Sequence, residues 1–161
     1  MKTIEKIIIA GIVGTTCMTI YSYIKAKEEK QRYVEPVLLN ELIDNSENLP
    51  AIKKEESHPA GWALHYVTGI LFVWAYWLLW RKALYRPSLV KIATIGSFSG
   101  LAGILVWKGL FSSHSNPPYN NRYGYYKQLF FAHIIFSVFA LITYKVINSI
   151  EYKIQESESR K

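Results

Sequence analysis

The side chains of this chain best equipped for chemistry are four histidines, His58, His65, His114 and His133. Imidazole titrates near neutral pH, donates and accepts hydrogen bonds through distinct nitrogens, and ligates transition metals. His58 and His65 stand seven residues apart, which places both on nearly one face of a helix. A shared pattern, His-x3-small-x6-Tyr, occurs as His65, Gly69 and Tyr76 and again as His133, Ser137 and Tyr144. Three roles are open for such a set. His65 and His133 could do no more than tie helices together by hydrogen bonds to Ser, Thr or backbone carbonyls. Together with His58, His114, Lys108 and Tyr66 they could line a polar pocket for a small anion, a lipid headgroup or a proton. Or the four imidazoles could hold a transition metal or, as a pair, a haem iron. None of the usual metal spacings, H-x3-H, C-x2-C or H-E-x-x-H, is present, and Ser112 and Ser113 beside His114 are the nearest approach to a nucleophile with a base. The expectation is therefore a binding site without catalytic residues and without a cofactor, haem or a metal being the alternative.

The elements that must position these residues are long apolar runs. Between Ala60 and Trp80 there is no Asp, Glu, Lys or Arg, and at about 1.5 Å per residue that length matches a hydrocarbon core of about 30 Å. Similar runs predict helices at about 7–24, 88–111 and 128–150. Lys2 and Lys6 before the first run resemble the start of a signal peptide, but its length and the absence of a small-x-small cleavage site predict a retained helix. The expected fold is all-α: one membrane domain over 1–161, an integral four-helix bundle made of two packed helical hairpins. The short ALYRP link predicts that the second and third helices are antiparallel neighbours. Gly11 and Gly14 in the first helix, and Gly96, Gly100 and Gly103 in the third, predict close helix contacts. Gly96 and Gly100 also leave open a membrane-protein partner or a second copy of the chain.

Residues 25–59 form a polar loop in which Leu38, Leu39, Leu42 and Ile43 predict a short helix lying on the membrane surface. Its acidic residues, Glu35, Glu41, Asp44 and Glu47, read as a solvated face. The tail 151–161 reads as frayed. Trp62, Trp74, Trp77, Trp80 and Trp107 read as interfacial anchors. The net charge of +7 comes from Lys and Arg flanking the apolar runs, which points to the lipid bilayer and not to nucleic acid. Ten of these cations fall on the side of the termini and nine on the other; their density in the 81–91 link places the termini in the cytoplasm. Four crossings bring all four histidines to the opposite side. The lack of carboxylates within the apolar runs speaks against a proton-coupled transporter.

The segments GTTCMTIYSY (Gly14 to Tyr23), GWALHYVTG (Gly61 to Gly69) and HSNPP (His114 to Pro118) give the chain a resemblance to small bacterial four-helix inner-membrane proteins of the YagU-like kind. That resemblance implies an integral protein of the bacterial inner membrane, and it brings no catalytic residues with it.

Overall fold

The computed structural model describes residues 1–47, 49 and 56–160. Lys53, Lys54 and Lys161, which enter the charge count above, lie outside them. Among the described residues the chain forms six helices and no strand: α1 (Thr3–Glu29), α2 (Glu35–Asp44), α3 (Pro59–Leu79), α4 (Arg81–Tyr85), α5 (Leu89–Ser113) and α6 (Arg122–Ser159). Four of these, α1, α3, α5 and α6, are long and apolar enough to cross a membrane. Their outward faces carry large apolar side chains, among them Ile12, Leu71, Trp74, Leu105 and Phe139, all well exposed.

Local sequence explains the boundaries. Lys30 closes α1 in a left-handed conformation at φ 52°. Pro36 opens α2 and Pro59 opens α3, positions where the missing N–H leaves no helical bond unmade. The Ser88 and Asn121 side chains accept from backbone N–H groups to start α5 and α6. The tail expected to fray is instead helical as far as Ser159, because nothing after Ile150 breaks a helix and Glu151 is tied at the other side of the bundle. There the Glu151 carboxylate takes both the Lys6 ammonium and the chain's N-terminus, and Asn148 Oδ1 accepts from Lys6 Nζ at 2.9 Å.

The packing is organised around α6, which runs along both α1 and α5, while α1 also runs along α3. Small residues make this possible. A Cβ on Gly11 would sit 2.7 Å from the Ile70 backbone, and one on Gly96 would sit 2.8 Å from that of Ile134. Gly14 meets Phe136 and Ala140, Gly100 meets Phe130, and Gly103 meets the His133 ring. The glycine face of α5 is therefore covered by α6 within the same chain, which corrects the expectation that Gly96 and Gly100 present a docking face to a partner.

A second correction concerns α3 and α5, which are not packed neighbours along their length. They meet near the link that joins them, where Tyr76 Oη lies 2.6 Å from Ser99 Oγ and Trp80 stacks on Phe98, and touch little elsewhere. Helix α2 fills the other end of the gap. It does not lie on an outer surface as the sequence predicts: Leu38 and Leu42 are buried with Trp107, Phe111, Tyr125 and Leu129, and Asn40 locks it to α3 by accepting from Gly61 N at 2.7 Å and donating to the His58 carbonyl at 2.9 Å. Trp107, expected as an interfacial anchor, is likewise an interior residue.

Overpacking a closed helix contact typically costs about 1–3 kcal/mol. Gly96→Leu is expected to destabilise by that amount or more, seen as a lower Tm of the purified protein. Leu at Gly109, where a Cβ would meet nothing within 4 Å, is expected to leave Tm unchanged.

Candidate functional site

Where α3 and α5 diverge beneath α2, they leave a cavity of about 70 Å³. Thr15 and Met18 of α1, Glu35 of α2, His65, Gly69 and Phe72 of α3, Gly103 and Trp107 of α5, and Leu129, His133 and Phe136 of α6 form its walls, with the exposed Thr68 and Val106 at its edge. At that size it holds a few waters or a ligand of a few heavy atoms.

The two histidines are each fixed by one bond. Thr19 Oγ1 donates its single proton to the Thr15 carbonyl at 2.7 Å, so the contact of 2.9 Å between Thr19 Oγ1 and His65 Nε2 requires the imidazole to donate. His133 Nδ1 lies 2.9 Å from the Leu129 carbonyl, which can only accept, so this ring donates through Nδ1. The rings thus hold opposite tautomers. His65 Nδ1 and His133 Nε2 have no protein partner among the described residues, and both belong to rings that wall the cavity. Phe72 meets the His133 ring edge-on at 5.4 Å between centroids.

Glu35 is the group the sequence did not point to. Only 2% of it is exposed, and Glu41 at 6% is buried too, which corrects the reading of both as a solvent-facing surface. Glu41 is paired with Arg32 at 2.9 Å. Glu35 takes part in no ion pair among the described residues. Its Oε1 lies 2.9 Å from Ser22 Oγ, which in turn accepts from Gln128 Nε2 at 2.6 Å, while its Oε2 has no partner. Burial without a cation pushes the Glu35 carboxyl up to about 7, against the smaller pull of the bonds from its own backbone, Ser22 and Gln128. The apolar runs lack carboxylates as expected, but the bundle interior gains one from this side chain, which comes from the loop segment and not from a long helix. Thr15 Oγ1 and Gln128 Oε1 are also buried without a partner.

The remaining predicted residues lie elsewhere. His58 caps α3, its Nδ1 accepting from Ala60 N at 3.3 Å. His114 pins the loop after α5 to α2, with Nε2 2.9 Å from the Leu42 carbonyl and Nδ1 accepting from Asn116 N at 3.1 Å. Lys108 is exposed, its Nζ 5.7 Å from the centre of the Tyr126 ring. Tyr66 Oη meets Thr16 Oγ1 at 3.0 Å, away from the cavity. The expected convergence of four imidazoles therefore reduces to a pair, and among the described residues no three His, Cys, Asp or Glu side chains group to hold a metal ion. Of the repeated tyrosines, Tyr76 binds Ser99 and Ser137, and Tyr144 faces Tyr85.

A carboxyl whose folded pKa lies above its unfolded value favours the fold while protonated. The contribution of Glu35 is thus fully favourable below about pH 4.5, is lost as pH rises, and is at its worst above about 7. Glu35→Gln is expected to raise unfolding stability by about 3 kcal/mol at pH 8 and to change it little at pH 4. A gain that does not vary with pH would show that the carboxyl is not shifted. In ¹⁵N-histidine spectra, His65 is expected to carry its proton on Nε2 and His133 on Nδ1, with Thr19→Val releasing the preference at His65 alone.

No family model, curated protein or solved structure matches this chain.

Proposed function

We propose that this is a multi-pass integral membrane protein of the bacterial inner membrane, four crossings folded as two hairpins with cytoplasmic termini, that binds a small polar ligand in the cavity beneath α2. The apolar outward faces and the lengths of α1, α3, α5 and α6 support embedding in a bilayer. The observation that carries the binding role is the pair of imidazoles held in opposite tautomers on one cavity, each with a nitrogen lone pair that no group among the described residues uses. Packing alone would be served by the bonds to Thr19 and Leu129. It gives no reason for the surrounding walls to hold Thr15 Oγ1 and Glu35 Oε2 without partners as well. The two buried oxygens are a standing cost to the fold, of about 1–3 kcal/mol each, that a bound donor relieves.

A thermal-stability screen of the full-length protein in nanodiscs tests this, with ammonium, methylammonium, guanidinium, urea, acetamide, acetate and phosphate as probes. At least one probe is expected to raise Tm saturably, by about 5–10 °C at a hundredfold excess over Kd. Thr68→Trp, which plugs the cavity edge from an exposed position, is expected to abolish that rise. No probe raising Tm, or an equal rise in the plugged variant, would overturn the reading.

A further inference from the structure

The polar atoms left without partners around the cavity are not a random sample of donors and acceptors. Of the wall atoms without a described partner, Glu35 Oε2 can only accept when the carboxyl is ionised, the two free imidazole nitrogens accept as well, and Thr15 Oγ1 is a hydroxyl; behind the walls Gln128 Oε1 is a further acceptor and Tyr125 Oη a second hydroxyl. No lysine or arginine contributes to the walls. The cavity is thus a set of acceptors with one negative group and no positive one, the inverse of what an anion or a headgroup phosphate needs. Phe72, Trp107 and Phe136 complete the walls, and aromatic rings attract cations and repel anions at their faces.

Resting on the binding role proposed above, we infer that the cavity takes a small monovalent cation bearing N–H donors, ammonium or methylammonium, with the Glu35 carboxylate as counter-charge and His65 Nδ1 and His133 Nε2 as hydrogen-bond acceptors. The volume of about 70 Å³ admits such an ion. A metal cation is the poorer fit, since among the described residues no three His, Cys, Asp or Glu side chains form a metal-binding group. The groups facing Glu35 are Ser22 from α1, Gln128 and Tyr125 from α6, and, across the cavity, His65 from α3 and His133 from α6; none of them brings a positive charge to it in an ion pair. With the Glu35 carboxyl pushed up to about 7, cation and proton compete for the same oxygen near neutral pH. The cation enters as the proton leaves, so affinity rises with pH until the carboxyl is fully ionised.

The test is binding of methylammonium chloride to the full-length protein in nanodiscs, followed by isothermal titration at pH 8, with urea as the neutral donor of similar size. Saturable methylammonium binding is expected, weakened about tenfold or more in Glu35→Gln and unchanged in the exposed control Glu47→Gln. In the unaltered protein the affinity is expected to fall about tenfold per unit as pH drops below 7; this second measurement stands even where Glu35→Gln does not fold. Binding of urea without binding of methylammonium would overturn the cation while leaving the cavity a ligand site. Methylammonium binding that ignores both Glu35→Gln and pH would overturn the role of the carboxylate. No binding by either probe would overturn the inference and the binding role together.

Discussion

Because Gly96, Gly100 and Gly103 let α5 press its backbone onto α6, and Gly14 lets α1 do the same from the other side, α6 sits between two helices with no room to shift toward either. Helix α3 then lies along α1, with α2 against its first turns. The residues of α3 and α5 that face each other beyond Tyr76 and Ser99 touch little, and something else must fill the space. At one end this is α2, inserted as a plug with Leu38 and Leu42 downward; below it the space is not filled at all. The cavity is thus a by-product of tight packing elsewhere, and its position between two apolar clusters follows from the same geometry.

What this space contains is decided by electrostatics. Hydrocarbon-like surroundings give polar groups no water to turn to, so each must find a partner or bear the cost of having none. Some groups meet the rule: Tyr76 is satisfied by Ser99 and Ser137, and Lys6, toward one end of the bundle, by Glu151 and Asn148. On the cavity walls it is not met by Thr15 Oγ1 or Glu35 Oε2. Thr19 and the Leu129 carbonyl orient the imidazoles while taking only one nitrogen from each. Ser22 and Gln128 hold one carboxylate oxygen of Glu35 through a short chain and leave the other.

The long helices were legible in the amino-acid sequence because length and the absence of charge are sufficient evidence for an apolar helix. His65 and His133 could be placed together for the same reason: helices entering from one side carry their early residues to similar depth. Glu35 was not legible as an interior residue, since acidic side chains in a polar loop are usually solvated. A signal was nonetheless present. Glu35, Leu38 and Leu42 follow at i, i+3 and i+7, so the carboxylate lies on the apolar stripe of α2 and not opposite it. Likewise Thr15, Thr19 and Ser22, at i, i+4 and i+7, form a hydroxyl stripe on α1 that, set beside its glycines, marks the face turned to the polar interior. His58 and His114 misled because imidazole serves equally well as a helix cap or a loop pin, and spacing cannot tell these uses from a ligand.

The length of α6 has a mechanical consequence. At about 1.5 Å per residue its 38 residues make a rod of about 57 Å, nearly twice the thickness of a bilayer's hydrocarbon layer. It carries His133 near one end and the Glu151 clasp on Lys6 and the N-terminus toward the other, with no proline or glycine between them to absorb a bend. A rod without a hinge transmits axial and rotational displacement over its whole length. Any rearrangement that turns the His133 ring by turning its helix is delivered as a torque to the α1–α6 clasp, several turns away and outside the apolar layer.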